Sequence, residues 1–375
     1  MSRVVVGSHR KAWINVDLNA IEHNIKIEAK RMDKGQEIFA VVKANAYGHG
    51  LIPVAKAAKR AGATGFCVAI IDEGLALREA QMTGTILILG VTPAEDAVLM
   101  AENYLSTAVG DLEFLEAASK LLAKAKKRLK VHLALDTGMG RIGFRDQAKL
   151  KEALQFLEDH QAEFDFEGIF THFSTADSTD HTYYKHQLAK FNELMQVVDK
   201  KPRYVHVANS AAAMWHKDCG GNVIRYGITM YGLNPSGKEI SLPDETFKQA
   251  LSLESQLVAV KKLAHGDGVG YGKTYTAEND EWLGTVPVGY ADGWLRRMQG
   301  FNVLVNGQAC EIVGRVCMDQ FMVRLPEKLP LGTKVTMIGK DGTKELTAQD
   351  VAEYAETINY EVVCNLSDRL PRRYL

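Results

Sequence analysis

A single lysine, Lys43, stands where the apolar run of the segment AVVKANAYGHG (40–50) gives way to Asn, Gly and His. An apolar, β-branched run of this kind is typical of a buried strand, so Lys43 is predicted at the end of that strand. Such a lysine can simply extend from the core into water. Alternatively, neighbouring cations and burial lower the pKa of its amine enough for it to form a Schiff base.

Further polar side chains are predicted at the same level on other strands. Asp136 and Arg141 come at or after the end of the fifth of eight apolar runs, His172 and Ser174 lie on the sixth, Asn209 and Ser210 on the seventh, and Arg225 on the eighth. The carboxyl ends of parallel strands meet at one side of a sheet, so these groups are expected to converge with Lys43. Ionisable groups are costly to bury, and their convergence therefore indicates a functional site. A reactive lysine there points to pyridoxal phosphate or to an aldolase-type carbonyl substrate.

The elements that must position these groups are short apolar runs separated by helix-like stretches. The runs lie at 38–44, 65–70, 86–90, 105–109, 131–137, 166–174, 204–210 and 223–232. Strands without polar alternation indicate a parallel sheet that is buried on both faces. Eight such units predict an α/β fold, a TIM-type (β/α)8 barrel.

The pattern changes after residue 240 to strands joined by short turns such as VNGQ and KDG, with one helix near TAQDVAEYAETI. We therefore predict a barrel over residues 12–240 and a C-terminal β-strand domain over 241–375. Residues 1–11 are candidates for an added strand of that β domain.

The composition is that of a globular protein: of 375 residues, 46% are hydrophobic and 24% are charged. The net charge of -1 argues against binding to nucleic acid or to an anionic membrane. The five cysteines have no CxxC spacing, so neither a metal site nor a disulfide framework is predicted. The chain shows no signal peptide or membrane span, which makes the cytoplasm the expected location.

The segment GMGRIG (138–143) fits the glycine pattern of dinucleotide-binding loops. It follows the fifth predicted strand rather than opening a βαβ unit, however, and it carries the charged Arg141. A dinucleotide site is therefore disfavoured.

Nine segments together resemble the motifs of bacterial alanine racemases, in family order, from about residue 12 to the C-terminus. They are AVVKANAYGHG, LDTGMGRIG, THFSTAD, HVANS, RYGITMYG, VGYGKTY, VGYADGW, GRVCMDQ and TINYE. The resemblance implies a barrel with a C-terminal β domain, pyridoxal 5'-phosphate as cofactor, and a homodimer in which each active site borrows residues from the partner subunit. It also implies the interconversion of L-alanine and D-alanine, which supplies D-alanine for peptidoglycan.

The resemblance also implies a role for each matching residue. The catalytic bases are Lys43, which holds the cofactor, and Tyr271, which the partner subunit contributes. Substrate-binding roles fall to Arg141 and to the backbone N–H of Met318. The other cofactor-binding residues are Tyr47, His172, Asn209, Ser210, Arg225, Gly227, Ile228 and Tyr360. The substrate entrance is formed by Asp177, Tyr290, Arg296, Arg315 and Ile358.

Two positions depart from the family pattern. Asn45 replaces an aspartate that many members carry, which is a minor change. Ala134 stands where many members carry a carbamylated lysine, whose negative charge braces the arginine that matches Arg141. Because an unpaired buried guanidinium is costly, we expect a bound anion, most simply chloride, or ordered water beside Arg141.

Racemisation requires a base on each face of the α-carbon, and Lys43 and Tyr271 fill these roles if they approach from opposite sides. A neutral His172 is expected to accept the hydrogen bond of the tyrosine phenol. Arg225 is expected to face the cofactor's pyridine nitrogen and to leave it unprotonated, because arginine keeps its proton.

Four other kinds of protein share part of this pattern. A decarboxylase of the same architecture pairs that nitrogen with a carboxylate, which Arg225 disfavours. Racemases of serine or of broad specificity are harder to exclude, although the chain lacks the membrane region or export signal that they carry. A non-catalytic pyridoxal phosphate carrier resembles the barrel alone and has no β domain.

Overall fold

The structure is a computed structural model that describes residues 5–217, 219–243 and 246–375. Its backbone contacts divide the chain into two compact units. The barrel unit comprises residues 21–46 and 51–247, and the β unit comprises residues 1–20, 47–50 and 248–375.

The first strand of the chain, β1 (Ala12–Val16), belongs to the β unit. The next eight strands form the barrel unit: β2 (Glu37–Val41), β3 (Gly65–Val68), β4 (Thr85–Ile88), β5 (Ser106–Val109), β6 (Leu129–Ala134), β7 (Phe164–Phe170), β8 (Tyr204–His206) and β9 (Val223–Tyr226). They pair in parallel in the order β8-β7-β6-β5-β4-β3-β2-β9. Between β8 and β9, the amides of Asn222 and Arg225 donate to the carbonyls of Val205 (2.8 Å) and Ala208 (3.0 Å). The sheet is thus nearly closed, and the predicted TIM-type barrel is confirmed.

Helices alternate with these strands and cover the outside of the sheet; they are Leu18–Arg31, Leu51–Arg60, Ile71–Glu79, Ala97–Glu102, Leu112–Ala125, Gln147–Asp159, Thr182–Met195 and Ser210–Trp215. The helix Leu112–Ala125 illustrates why they form. Its buried residues Leu115, Ala118, Ser119 and Leu122 recur at helical spacing, and the Asp111 side chain accepts the amide of Phe114 to cap its first turn. Strands β3, β4, β5 and β9 are buried at every position, as a sheet covered on both faces requires.

The β unit contains the remaining strands: β10 (Leu251–Gln256), β11 (Ala259–Leu263), β12 (Gly268–Val269), β13 (Tyr275–Thr276), β14 (Glu281–Val286), β15 (Asn302–Val305), β16 (Gln308–Glu311), β17 (Phe321–Leu325), β18 (Lys334–Asp341), β19 (Lys344–Leu346) and β20 (Arg372–Tyr374). They form sheets ordered β16-β15-β18-β10-β1-β20, with β19 beside β18, then β11-β14-β17 and β12-β13. Two helices, Ala348–Tyr354 and Asn359–Cys364, complete the unit. The prediction of a second, β-rich part is confirmed.

The added strand lies at Ala12–Val16 rather than within residues 1–11, of which residues 1–4 lie outside the described residues. It pairs antiparallel with β10 and parallel with β20. Its residues alternate between buried and half-buried, which is the period of a strand with one face on a core. Residues 12–16, which the sequence-based division placed with the barrel, thus pair with strands of the β unit.

Candidate active site

Lys43 follows β2 and begins a left-handed turn. Ala44, Asn45 and Ala46 all have φ of 52–53°, a conformation that costs a residue other than glycine roughly 1–2 kcal/mol. The carboxylate of Glu73 holds the turn, because its Oε1 accepts the amides of Ala44 (2.6 Å) and Asn45 (3.4 Å). The backbone strain of the turn after Lys43 is therefore offset by a carboxylate from the helix Ile71–Glu79.

Arg225 lies on β9 and is only 3% exposed. Its Nη1 donates to Nδ1 of His206 (2.9 Å) and to the His206 carbonyl (2.7 Å). Its Nη2 donates to the carbonyls of Thr171 (2.8 Å) and Val207 (3.3 Å) and lies 3.3 Å from Nδ1 of His172. Burial lowers the pKa of Arg225 to about 10, so the guanidinium is still charged at neutral pH.

His172 follows β7 and lies close to several cations. Burial, followed by the charges of Arg225, Arg141 and Lys43, lowers the pKa of His172 well below its usual value. The ring is therefore neutral. Arginine only donates hydrogen bonds, so Nδ1 of His172 is the acceptor, and the hydrogen of the neutral ring resides on Nε2.

The ends of β8 and β9 carry small polar groups. Asn209 caps the helix Ser210–Trp215, because its Oδ1 accepts the amide of Ala212 (2.9 Å). The hydroxyl of Ser210 accepts the amide of Gly227 (2.8 Å), and Ile228 begins a 3₁₀ turn at the end of β9. Ser210, Gly227 and Ile228 are thus brought together, and their role in a barrel phosphate site stays a prediction.

Arg141 is exposed rather than buried. Ala134 lies in an apolar cluster with Ala108 and Phe170, against which Leu89 and Ile142 pack. The expectation of a bound anion assumed that the Arg141 guanidinium is buried. Because it is exposed, water can solvate its charge, and that reason for an anion no longer applies. The anion stays a prediction.

The second predicted base, Tyr271, belongs to the β unit and is 68% exposed. Tyr271 begins a 3₁₀ turn and is flanked by Gly270 (φ 72°) and Gly272 (φ 75°). Both glycines lie close to Arg315. Met318 is also exposed. Both residues are therefore accessible on the surface of the β unit.

Three of the predicted entrance residues, Tyr290, Arg296 and Arg315, line one cavity of about 670 Å³. The turn at Tyr290 is fixed to the segment of Met318: the amides of Tyr290 and Ala291 donate to the carbonyls of Cys317 (3.1 Å) and Met318 (3.0 Å).

The other predicted residues of the β unit are Tyr360, on its last helix, Ile358 and Tyr47. Tyr360 packs against Tyr47, with 6.1 Å between ring centroids, and Ile358 precedes that helix and is exposed. Asp177 lies in the barrel unit after β7, where burial raises the pKa of its carboxyl.

Sequence reasoning missed Glu73, His206, His132 and Glu167, which contact the site residues or one another. His206 is the first residue of the segment HVANS (206–210), and a histidine there could have indicated a hydrogen-bond partner for Arg225. The others are far apart in sequence and carry no local signal. Within the described part of the chain, no cluster of His, Cys, Asp and Glu is arranged to hold a metal ion. None of the helices described is long and apolar enough to cross a membrane.

Comparison with known proteins covers nearly the whole chain. The family model for the alanine racemase N-terminal domain matches residues 16–235, and that for the alanine racemase C-terminal domain matches residues 250–374. The chain is 62% identical over 373 residues to an alanine racemase of Ligilactobacillus salivarius (strain UCC118), covering 99% of this chain and 100% of that protein.

Solved structures also match over nearly the whole chain. The alanine racemase from E. faecalis has a TM-score of 0.97 at 53% identity, covering 99% of this chain and 100% of that one. A histidine racemase from Leuconostoc mesenteroides has a TM-score of 0.94 at 36% identity, with the same coverage. Two family models that together span the chain, and relatives matched over their full length, show that this chain belongs to the alanine racemase family.

Proposed function

We propose that the protein interconverts L-alanine and D-alanine with pyridoxal 5'-phosphate as its cofactor. The observation that carries the proposal is the grouping of Lys43, neutral His172 and buried Arg225 at one end of the barrel of an alanine racemase family member. We also propose that the reaction takes place in the cytoplasm and supplies D-alanine for peptidoglycan.

The side chains fit this cofactor. Both Nη atoms of Arg225 make hydrogen bonds to the protein. Its Nε makes none with the described residues. Nε–H is thus available to donate to the pyridine nitrogen. The hydroxyl of Ser210 and the backbone at Gly227 and Ile228 suit the phosphate, together with Tyr47 and Tyr360, and Asn209 fixes the helix that follows β8.

Alanine's α-proton is too weakly acidic to leave at neutral pH, and the bound cofactor supplies conjugation that stabilises the negative charge left on the α-carbon. Lys43 binds the cofactor and exchanges this proton on one face. Arg225 keeps its own proton at neutral pH, because its pKa is about 10. It therefore donates to the ring nitrogen without protonating it, which moderates the conjugation and limits side reactions.

Tyr271 exchanges the proton on the opposite face. Because Nδ1 of His172 accepts from Arg225, its Nε2–H is left to donate toward a tyrosine oxygen. This reverses the sequence-based expectation that His172 accepts from the phenol. A donor stabilises the phenolate form, whose pKa is otherwise about 10, and so favours Tyr271 as a base.

Tyr271 and Met318 are contributed by the partner subunit of a homodimer. The support is their exposure on the β unit, since a catalytic tyrosine open to water needs a second surface to enclose it. Arg141 and the backbone N–H of Met318 hold the substrate carboxylate. Tyr290, Arg296, Arg315, Ile358 and Asp177 line the entrance.

The test is a racemisation assay on the purified, cofactor-loaded protein with L-alanine, L-serine and L-histidine, each followed by chiral chromatography. We expect D-alanine to form with a kcat/KM at least about tenfold above that for serine or histidine, which corresponds to about 1.4 kcal/mol of discrimination. A higher kcat/KM for serine or histidine would show that alanine is not the preferred substrate. Cofactor binding without any racemisation would indicate the non-catalytic carrier.

A further inference from the structure

A chain of hydrogen bonds runs through the barrel interior, away from the substrate end. It starts at Arg225 Nη1, which lies 2.9 Å from His206 Nδ1. Nε2 of His206 lies 2.8 Å from Nδ1 of His132, and Nε2 of His132 lies 3.1 Å from Oε2 of Glu167. The far oxygen of Glu167, Oε1, accepts from Nζ of Lys130 at 2.6 Å.

The two ends of this chain fix the direction of every bond between them. Arginine only donates, so His206 Nδ1 has no hydrogen. Burial and the charges of Arg225 and His132 lower the pKa of His206 well below its usual value, so the ring is neutral and carries its hydrogen on Nε2. His206 then donates to His132, whose own hydrogen must lie on Nε2 and point to the carboxylate. Each imidazole has one permitted tautomer.

The charges along the chain explain why it is built this way. No carboxylate contacts the Arg225 guanidinium among the described residues, although a buried cation without compensation is costly. Glu167 is only 5% exposed. Burial raises the pKa of its carboxyl, but hydrogen bonds from His132, Lys130 and Ser106 outweigh burial and bring the pKa to about 2. Glu167 is therefore a fixed negative charge, connected to Arg225 through two neutral rings.

The backbone is adapted to this arrangement. The pairing of β6 with β7 shifts between Val131 and His132, so that Glu167 is an extra, bulged residue between the partners Phe166 and Gly168. A bulge re-aims a side chain, and here the bulged carboxylate contacts the His132 ring. Gly168 leaves room for that ring, because a Cβ at Gly168 would lie 2.2 Å from His132 Nδ1.

We propose that Glu167 is a positioning residue: through His132 and His206 it sets the tautomers that hold the Arg225 guanidinium in one orientation, with Nε directed to the substrate end. The tautomer chain rests on the hydrogen-bond geometry and on the neutral rings inside the barrel, and it does not depend on the proposed function. Its consequence for the cofactor rests on the function proposed above.

Glu167→Gln tests the proposal because of Lys130. The ammonium of Lys130 requires an oxygen, so the amide oxygen of the glutamine turns toward Lys130 and its NH₂ faces His132 Nε2. His132 must then carry its hydrogen on Nδ1 and donate it to Nε2 of His206. The hydrogen of the neutral His206 ring then lies on Nδ1, where it faces the N–H of Arg225 Nη1. Adding Lys130→Met removes this constraint and allows the amide oxygen to face His132 again. Lys130→Met alone is the matched control, since it leaves the carboxylate in place.

The measurement is ¹⁵N NMR of the holoenzyme labelled in histidine, with the two rings assigned from the signals lost in His132→Gln and His206→Gln. The unmodified protein should show both rings neutral and protonated on Nε2 alone. Glu167→Gln should add an Nδ1–H signal of His132, and the double variant should remove it. An Nδ1–H form of either ring in the unmodified protein, or unchanged tautomers in Glu167→Gln, would overturn the proposal.

Racemisation of alanine is measured on the same samples. A fall in kcat in Glu167→Gln that recovers in the double variant supports the link to the cofactor. Changed tautomers with unchanged kcat would support the positioning chain and count against the proposed role of Arg225. The unmodified protein alone decides the tautomer question if Glu167→Gln fails to fold.

Discussion

Arg225 combines two requirements that are difficult to meet together, because it is charged and it is almost fully buried. Its contacts to His206, Thr171, Val207 and His172 replace the hydration that burial removes. Its burial makes it part of the barrel core, so replacing it will reduce stability as well as activity.

Lys43 is the residue whose role can be tested most directly. Lys43→Ala should abolish both racemisation and covalent attachment of the cofactor, because it removes the amine that follows β2 and whose charge acts on His172. Attachment is measured as the mass added after reduction with borohydride. Lys120→Ala, which removes an exposed lysine of the same unit, is the control and should retain both properties. A normal yield of reduced adduct in Lys43→Ala would assign the attachment to another lysine.

Residue types and their positions along the strands were sufficient to predict that Lys43, His172 and Arg225 lie close together. They could not predict that Arg141 is exposed, because exposure depends on how the loop after β6 folds back. The apolar setting of Ala134 was equally hidden, since Phe170 and Ala108 come from other strands.

At the scale of elements, the left-handed turn after Lys43 is held by one carboxylate. Glu73 accepts the amides of Ala44 and Asn45 through Oε1 and that of Ala69 through Oε2 (2.8 Å). Glu73→Ala should therefore release the turn and lower kcat more than it lowers thermal stability. We expect a loss of roughly tenfold or more, the cost of about 1.4 kcal/mol in positioning.

The control for this prediction is Asp72→Ala, which removes a neighbouring exposed carboxylate of the same helix and should leave kcat unchanged. Comparison of kcat with the midpoint of thermal unfolding separates positioning from stability. Equal activity in both variants would show that the turn after Lys43 keeps its conformation without the Glu73 carboxylate.

Gly168→Ala tests the fit between β7 and the His132 ring. The new methyl group would overlap Nδ1 and Cε1 of His132, at 2.2 and 2.5 Å, so the ring must move. Overpacking of this kind costs typically about 1–3 kcal/mol, and we expect a corresponding fall in the midpoint of thermal unfolding. Gly74→Ala is the control: its nearest atoms, at 3.1 Å, belong to the flexible side chain of Leu105, and its helix favours alanine. Equal midpoints for the two variants would contradict the prediction.

The alternation of apolar runs and helix-like stretches was enough to predict the barrel, since parallel strands buried on both faces have a distinctive composition. The bulge at Glu167 and the left-handed turn after Lys43 could not be predicted. The turn opposes local preference, because Ala44 and Ala46 are alanines at positive φ, and both features are held by partners distant in sequence.

At the scale of the whole molecule, stability should fall as the pH is lowered from about 7.5 to 5.5. Burial first, and then nearby cations, lower the pKa values of His172 and His206, and burial also lowers that of His132. The unfolded chain takes up protons at these residues below about pH 6.5, whereas the folded chain does not, so each contributes up to about 1.4 kcal/mol of destabilisation per pH unit. Calorimetry at several pH values measures the effect.

Glu28 opposes this trend. Burial raises the pKa of its carboxyl from 4.5 to about 7, so between these values the folded chain binds the proton and gains stability as the pH falls. Glu28→Gln removes that gain, and its unfolding midpoint should fall more steeply on acidification than that of the unmodified protein. A midpoint that rises between pH 7.5 and 5.5 in the unmodified protein would contradict the assignment of neutral buried histidines.

The last prediction concerns the shared active site. Lys43 belongs to the barrel unit, whereas Tyr271 is exposed on the β unit, and we propose that each site combines Lys43 of one subunit with Tyr271 of the other. Lys43→Ala and Tyr271→Phe homodimers should each be almost inactive. In a heterodimer of the two, one site carries both substitutions and the other carries neither. Mixing the variants under conditions that exchange subunits should therefore restore up to half of the activity of the unmodified dimer per heterodimer.

Differently tagged subunits allow the heterodimer to be isolated and counted, so that activity is expressed per heterodimer. The control is a mixture of Lys43→Ala with a doubly substituted Lys43→Ala, Tyr271→Phe subunit, which leaves no site with both bases and should stay inactive. Isolated heterodimers without activity would show that each site takes both bases from one subunit. In that case the exposed Tyr271 would have to reach the barrel of its own chain, and the reason for dimerisation would lie elsewhere.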